Sequence, residues 1–207
     1  MVCYRPPIKV GVEEVMVRKQ WVLAAIAVGV MTAPAAAQTG YGYEGGKFVG
    51  AVRDRDGSKA LELLEARGPT ILNARDEKGE TALIVAISAR DDVWSLFLLQ
   101  QGADPNLAAR NGDTPLIAAA RIGFLEAAGQ LLRRKVKVDA ANRMGETALI
   151  IAVQQRQARM VKLLLDAGAN PDKADSAAGY SARDYARRDT RSREILKLIE
   201  AKSPPKA

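Results

Sequence analysis

A six-residue pattern that recurs at a fixed interval constrains the fold of this chain more than any other feature. The pattern is Gly-Glu-Thr-Ala-Leu-Ile at residues 79–84, Gly-Asp-Thr-Pro-Leu-Ile at 112–117 and Gly-Glu-Thr-Ala-Leu-Ile at 145–150, so the copies are evenly spaced. A fourth, weaker copy, Gly-Tyr-Ser-Ala at 179–182, comes one residue late. Regular self-similarity of this kind predicts an array of stacked repeats, in which each unit packs only against its neighbours.

A second landmark keeps the same interval. Leu-Leu-Gln-Gln-Gly-Ala-Asp-Pro-Asn at residues 98–106 returns as Leu-Leu-Asp-Ala-Gly-Ala-Asn-Pro-Asp at 164–172. Between them, Leu-Leu at 131–132 leads to Asp139, which lies midway between Asn106 and Asp172. The whole unit is therefore repeated, and not only one short motif.

Each unit carries the boundary signals of two short helices. A threonine precedes each apolar run, where its hydroxyl can cap free backbone N–H groups. These threonines are Thr81, Thr114 and Thr147. Pro115 occupies the first helical position, where its missing N–H costs nothing. Gly102 and Gly168 follow the second helical run and are predicted to end it in a left-handed conformation.

These residues resemble the ankyrin repeat, which reads roughly Asp-x-x-Gly-x-Thr-Pro-Leu-His-x-Ala-Ala and then Leu-Leu-x-x-Gly-Ala-Asp-x-Asn. The resemblance extends over residues 46–200. It implies an all-α ankyrin-repeat solenoid of about five helix-turn-helix repeats, joined by β-turn or hairpin loops and closed by N- and C-terminal capping repeats. The expected repeats cover about 46–75, 76–108, 109–141, 142–175 and 176–200.

The chain departs from the family pattern at three kinds of position. The histidine that links neighbouring repeats in the family is replaced by Ile84, Ile117 and Ile150, so apolar contact is expected instead. The turn aspartate is kept as Asp76 but is replaced in the later copies by Ala109, Asn142 and Ser176. Lys135 stands where glycine ends the helix, so we expect that helix end either to carry strain or to take another shape.

The N-terminal segment has the pattern of a secretory signal peptide. Arg18 and Lys19 precede an apolar run at 21–31, and Ala-Ala-Ala at 35–37 suits a cleavage site before Gln38. We expect residues 1–37 to be a signal peptide, with Met16 as a second candidate start, and the protein to be periplasmic. An uncleaved anchor is the alternative, although the run is short for a membrane span. Residues 38–45 are interpreted as a flexible lead-in and 201–207 as a disordered tail.

The composition offers little for catalysis. The chain has no histidine and one cysteine, Cys3, which excludes triads that need histidine. No phosphate-binding Gly-x-x-x-x-Gly-Lys-Ser/Thr loop is present. Asp91 and Asp92 are interpreted as a solvated helix start, where negative charge is favourable. We therefore expect no enzyme activity, cofactor or metal, and an enzyme of unknown type would require a pocket with a perturbed titratable group.

The net charge of +7 does not by itself indicate a nucleic-acid partner, because acidic and basic residues alternate along the chain. The strongest basic cluster lies near the C-terminus and is interpreted as a solvated face of the last repeat. Its arginines are Arg183, Arg187, Arg188, Arg191 and Arg193. A membrane surface or an acidic partner for this cluster remains the alternative.

The resemblance places a partner-binding site on the concave surface, formed by the β-turn tips and the first helix of each repeat. The expected site residues are Glu77, Lys78, Glu80, Arg110, Asn111, Asp113, Arg121, Arg143, Met144, Glu146, Gln154 and Gln155. Among them Arg110, Arg121 and Arg143 are of a residue type that is enriched in interface hot spots. The expected partner is another protein, bound by a monomer, with a membrane involved only if the signal segment stays uncut. An envelope-associated structural or stress-protective factor attached to a membrane enzyme is the alternative function.

Overall fold

The computed structural model of the protein describes residues 40–202. The predicted signal peptide at 1–37, its cleavage site and residues 203–207 of the predicted tail lie outside the described residues. Within the described range the chain forms ten α-helices and two short 3-10 helices. The helices follow one another in pairs, with a turn loop between successive pairs.

The helix pairs correspond to the predicted repeats. The first pair is α1 (Gly40–Arg53) and α2 (Gly57–Arg67), and the second is α3 (Ala82–Ser88) and α4 (Asp92–Gln101). The third is α5 (Pro115–Ile122) and α6 (Leu125–Leu132), and the fourth is α7 (Ala148–Gln154) and α8 (Ala158–Asp166). The last is α9 (Ala182–Arg188) and α10 (Arg193–Lys202). The 3-10 helices span Gly68–Asn73 and Thr190–Ser192.

The predicted helix caps are confirmed. The hydroxyl oxygens of Thr81, Thr114 and Thr147 accept hydrogen bonds of 3.3, 3.2 and 3.2 Å from backbone N–H groups three residues ahead. In the last repeat Ser181 takes this role and forms a reciprocal capping box with Asp184. Such caps satisfy donors that have no partner inside the helix.

The loops between repeats are tight hairpins. In the described residues β-structure is limited to isolated antiparallel bridges, which join Arg75 to Thr81, Ala141 to Thr147 and Ala174 to Ser181. Each bridge brings the chain back to the start of the next first helix. The predicted β-turn connection between helix pairs is therefore present.

The first helices form the centre of the core. All six residues of α3 from Ala82 to Ile87 are buried, because α3 packs between the first helices of both neighbouring repeats. Ile84, Ile117 and Ile150 are at most 3% exposed. The apolar contact expected in place of the family's histidine is therefore confirmed.

A polar ladder joins the second half of each repeat to the next repeat. The side-chain oxygens of Asn73, Asn106 and Asp139 accept hydrogen bonds of 2.8, 2.9 and 2.8 Å from the backbone N–H groups of Asp104, Lys137 and Asn170. The repeated geometry explains why an asparagine or aspartate recurs once in every repeat. At the end of the stack, Asp172 instead accepts a hydrogen bond of 2.6 Å from the Nε of Arg183.

Arginines in left-handed backbone conformations form a second set of links between repeats. Arg55, Arg90 and Arg156 have φ angles of 58°, 54° and 54° at the turn between the two helices of a repeat. Arg55 and Arg90 donate to the carbonyl oxygens of Ala89 and Ile122, where the first helix of the next repeat ends. A cation is favourable there because the helix C-terminus carries partial negative charge.

Three residues bear on predictions made from the repeat pattern. Lys135 has a φ of 55°, so the predicted strained helix end is confirmed. The turn residue of the last repeat is Asp175 and not Ser176, because the loop there is one residue longer and Asp175 N–H bonds to Tyr180 O. Arg183 is 4% exposed, so it does not belong to a solvated face.

The expected flexible lead-in is wrong for residues 40–45, which belong to α1. Gly45 packs closely there, since a Cβ on it would lie 2.4 Å from the Cβ of Ala74. At the other end, residues 201 and 202 are the last two of α10 and not part of a disordered tail.

Candidate binding surface

The turn tips and the first helices lie on the inner side of a curved stack. Through the middle of the stack, neighbouring first helices such as α5 and α7 pack in closer contact than neighbouring second helices such as α6 and α8. The alanines at 118–120 allow this approach, since they are small and buried. Closer spacing along one row than along the other curves the array, and we call this inner side the concave surface.

Most of the predicted site residues are exposed on this surface. The exposed ones are Glu77, Lys78, Arg110, Asn111, Arg121, Arg143, Met144, Gln154 and Gln155. Glu80 and Glu146 are half-buried and hydrogen-bonded to Arg53 and Asn142. Exposure makes the first group accessible to a partner, while Asn111, Arg121 and the two glutamates are partly committed to internal contacts.

The prediction that Asp113 contacts a partner is wrong, because the residue is only 8% exposed and its carboxylate points inward. It accepts hydrogen bonds from Arg121 Nη2 at 3.0 and 3.1 Å, from Asn111 Nδ2 at 2.9 Å and from Asn142 Nδ2 at 2.9 Å. These donors come from its own repeat and from the next one. Asp113 therefore positions the concave surface and is not presented to a partner.

The turn tips are held against one another through their backbones. The backbone N–H groups of Arg110, Arg143 and Ser176 donate to the carbonyl oxygens of Gly79, Asn111 and Met144, at 3.1, 3.2 and 2.9 Å. Glycine is required at the contact, because a Cβ on Gly112 would lie 2.7 Å from the nitrogen of Arg143. Gly112 also has a φ of 85°, which side chains rarely adopt. The tips are thus fixed relative to one another, repeat by repeat.

An open cavity of about 380 Å³ follows these tips, and we call it the tip groove. Three arginines line it, Arg75, Arg110 and Arg143. Arg75 donates a hydrogen bond of 2.6 Å to the carbonyl of Ala108. In the range 40–202, the guanidinium groups of Arg110 and Arg143 make no hydrogen bond or ion pair. Two cations on a fixed backbone are therefore left available.

A second open cavity, of about 410 Å³, lies between the last two repeats, and we call it the C-terminal pocket. It is lined by Val153, Gln154, Arg156, Tyr180, Tyr185, Arg188, Asp189 and Arg191. The rings of Tyr180 and Tyr185 meet edge to face, with 5.6 Å between centroids. The guanidinium carbon of Arg188 lies 4.2 Å from the centre of the Tyr180 ring.

Sequence reasoning missed this pocket except for Gln154. The usable signal was the C-terminal arginine cluster together with two nearby tyrosines, Tyr180 and Tyr185. Tyrosine and arginine are among the residue types that most often dominate interfaces. Their proximity depends on the longer turn of the last repeat, which the sequence shows only as a motif that comes one residue late.

Hydrogen bonds hold two carboxylates in their ionised form, Asp189 in the C-terminal pocket and Asp175 beneath Tyr185. A hydrogen bond of 2.6 Å from Arg156 Nε, followed by one from the Arg191 backbone N–H, holds the pKa of Asp189 well below its ordinary range. Burial raises the pKa of Asp175, but hydrogen bonds from Tyr185 Oη and three backbone N–H groups outweigh it and leave the pKa lowered. The same bond to Asp175, with burial, raises the pKa of Tyr185. Neither carboxylate nor phenol is poised to exchange a proton near neutral pH.

The described part of the chain offers neither a metal cluster nor a membrane span. Among these residues, no group of three or more histidine, cysteine, aspartate or glutamate side chains could hold a metal ion. Between residues 40 and 202, none of the helices is both long and apolar enough to cross a membrane.

Comparison with known families identifies the repeats. A family model described as ankyrin repeats, in three copies, matches residues 90–175, which covers the second helix of repeat two through the loop after α8. The chain contains ankyrin repeats. The resemblance found in the sequence and the predicted all-α solenoid are thereby confirmed, and the turn tips that carry Arg110 and Arg143 lie within the matched residues.

Curated relatives of this chain come from different organisms. The chain is 30% identical to ANK repeat-containing protein nipk-1 of Caenorhabditis elegans, over 62% of this chain and 24% of that protein. It is 32% identical to a putative ankyrin repeat-containing protein of Treponema pallidum, over 55% of this chain and 38% of that protein. It is 37% identical to the mitochondrial disaggregase of Bos taurus, over 62% of this chain and 19% of that protein. The chain spans less than two fifths of the length of each, so the similarity concerns the repeats.

Proposed function

We propose that the protein is a non-catalytic interaction module that binds another protein through the concave surface of its ankyrin repeats, and that it acts in the periplasm. Ankyrin repeats generally mediate protein–protein interaction. The observation that carries the proposal is the pair of exposed guanidinium groups, Arg110 and Arg143, on turn tips whose backbones are fixed. A surface that is ordered before binding loses little conformational freedom when a partner docks.

The shape of the surface supports a protein ligand. The tip groove and the C-terminal pocket are both open, and together they extend from repeat two to the last repeat. A small molecule is usually bound in a concave, mostly apolar site that buries most of its surface. An open, polar surface that extends over several repeats suits a macromolecular partner better.

The titration behaviour supports a non-catalytic role. Asp175 accepts a hydrogen bond from Tyr185 and Asp189 lines the pocket, and hydrogen bonds lower the pKa of both carboxylates. A general acid or base works best when its pKa lies near the operating pH. These two carboxylates instead serve as fixed acceptors that hold the last repeat together.

The proposed compartment rests on the N-terminal sequence pattern, in which a basic pair precedes an apolar run and an Ala-Ala-Ala stretch at 35–37. Intact mass spectrometry of the protein recovered from a periplasmic fraction tests it. We expect a mass that begins at Gln38. Recovery of the uncut chain with the membranes would contradict the proposal of a soluble periplasmic protein.

Affinity capture with charge-reversed variants tests the binding surface. The tagged chain and an Arg110→Glu/Arg143→Glu variant are used as baits in an envelope extract. An Arg133→Glu/Arg159→Glu variant is the matched control, because it makes the same charge change at exposed positions in or directly after the second helices. We expect the wild type and the control to retain the same partner and the tip variant to lose it.

Two results would contradict the proposed binding surface. Equal capture by all three baits would place the contact elsewhere, and loss by the control alone would place it on the second helices. Circular dichroism of each variant shows that a lost interaction is not a loss of folding. Turnover of a substrate by the purified protein would contradict the non-catalytic role.

A further inference from the structure

We propose that the concave surface binds an acidic segment of the partner protein, with one carboxylate held in the C-terminal pocket by Arg188 and others by Arg110 and Arg143. This inference rests on the proposed function, and it adds the chemistry of the ligand. It follows from how the structure distributes charge between the inside and the outside of the concave surface.

Most acidic groups of the concave surface form hydrogen bonds or ion pairs within the protein. Asp76 accepts a hydrogen bond of 2.8 Å from the backbone of Glu80 and bonds to Arg53. Asp113 is buried beneath its three donors, and Asp175 is 6% exposed with its oxygens committed to backbone N–H groups and to Tyr185. Apart from the exposed Glu77, these carboxylates therefore point inward and stabilise turns.

The basic groups on the same side point outward. Arg110 and Arg143 occupy equivalent positions on two successive turn tips. Their backbone N–H groups are bonded to the preceding tip, which fixes where each side chain starts. Repeat two carries Glu77 at the corresponding position, so this position is basic in repeats three and four.

The C-terminal pocket provides a more rigid cation. Arg188 stacks on the Tyr180 ring, and Tyr180 is in turn supported by the edge of Tyr185. A stacked guanidinium keeps its planar edge of N–H donors available, and that edge matches a carboxylate in a two-bond geometry. The two tyrosines thus hold Arg188 ready for an anion.

The pocket retains an excess of positive charge. Asp189 is its single acidic lining residue, and it already bonds to Arg156 and Arg191 at 2.6 and 3.4 Å. Arg188 forms no ion pair within the described residues. Binding of one more carboxylate in the pocket is therefore favourable, whereas a further cation would be repelled.

An acidic protein segment fits this distribution better than a nucleic acid does. A nucleic acid needs a continuous basic track for its evenly spaced phosphates. Here Glu77, Glu146 and Asp189 lie among the arginines and interrupt such a track. A peptide can place glutamate or aspartate side chains only opposite the arginines, so the interruptions do not oppose it.

Fluorescence anisotropy with the full chain tests the inference. The probe is a fluorescein-labelled oligoglutamate peptide, compared with an oligoglutamine peptide of equal length and with a labelled single-stranded oligonucleotide. The variants are Arg188→Glu, Arg188→Lys and Arg110→Glu/Arg143→Glu. Arg159→Glu, on the outer helix α8, and the Arg133→Glu/Arg159→Glu pair are the controls of equal charge.

We expect the oligoglutamate to bind, the oligoglutamine not to bind, and added salt to weaken binding. Arg188→Glu should raise the dissociation constant by roughly tenfold, near the lower end for loss of an interfacial charge pair. Arg188→Lys should have an intermediate effect, because it keeps the charge but loses the planar edge. The controls should bind like the wild type.

Three outcomes would overturn the inference: no binding of oligoglutamate, equal loss in the controls, or tighter binding of the oligonucleotide. A competition experiment with the captured partner distinguishes failure of the acidic-segment inference from failure of the proposed function. If the partner still binds the concave surface but oligoglutamate does not compete with it, the acidic-segment inference is wrong and the interaction module stands. If no partner depends on the concave surface, the proposed function fails first.

Discussion

Asn142 joins two repeats through one side chain, and replacing it tests how the concave surface is held together. Its Oδ1 accepts hydrogen bonds of 3.0 Å from the backbone N–H groups of Met144 and Glu146. Its Nδ2 donates 2.9 Å bonds to Asp113 Oδ1 and Glu146 Oε2. The variant Asn142→Ala removes all four bonds at once.

The expected loss of stability can be built from these contacts. A hydrogen bond between neutral groups contributes about 1 kcal/mol net and one to a charged group about 1.5–3 kcal/mol. The bonds on the Met144 side lie at an exposed turn tip, where water can replace them. The bond to Asp113 is the largest contribution, since that carboxylate is only 8% exposed. We expect Asn142→Ala to lower the free energy of unfolding by about 2–3 kcal/mol.

Urea unfolding followed by circular dichroism and by tryptophan fluorescence measures the change. Asn170→Ala is the matched control, because Asn170 is exposed and its side chain accepts one bond, of 2.9 Å, from the backbone of Asp172. That control should lose no more than about 1 kcal/mol. Equal stabilities for Asn142→Ala and Asn170→Ala would refute the assigned role of the inter-repeat bond to Asp113.

Three further predictions concern single positions. Arg90→Ala should be about 1 kcal/mol less stable than Arg90→Gly. Both variants lose the hydrogen bond to the next repeat, but only alanine is strained by the left-handed φ of 54°. Equal thermal midpoints for the two variants would contradict this. Gly112→Ala should cost about 2 kcal/mol or more, because its Cβ would lie 2.7 Å from the nitrogen of Arg143 at a φ of 85°. The control Gly50→Ala, which has open space in a helix, should be neutral or stabilising in the same thermal unfolding assay. The pKa of Asp175 is lowered in the fold by hydrogen bonds that outweigh its burial. Its stabilisation is therefore present above about pH 4 and is lost as the pH falls through the folded-state pKa. Asp175→Asn should flatten the acid limb of stability against pH, and an unchanged limb would contradict the assignment.

The sequence predicts the repeated parts of the fold because local chemistry determines them. Thr114 caps a helix through a bond to a residue three positions ahead, and Gly102 ends one with a φ of 100°. Lys135 was predicted to be strained from its place in the pattern, and its φ of 55° agrees. Such features depend on neighbours in the chain, so they can be derived without knowing the tertiary structure.

The sequence does not predict features that depend on contacts between repeats. The sequence at 38–45 predicts a flexible lead-in, yet Gly45 packs against Ala74 in a helix because it lacks a side chain. Asp113 occupies a tip position, and it points inward because Asn111, Arg121 and Asn142 donate hydrogen bonds to it. The C-terminal pocket likewise needs two tyrosines from the last repeat to meet Arg156 from the one before.

The central claim is that a protein partner docks on the concave surface, and hydroxyl-radical footprinting of the captured complex tests it most directly. Met144 is 55% exposed on a turn tip, and Val93 is 67% exposed on the outer helix α4, so both should be labelled in the free chain. Met160, at 1% exposed, reports unfolding. We predict that the partner reduces labelling of Met144 and leaves Val93 unchanged. Protection of Val93 with Met144 labelled as in the free chain would contradict the account.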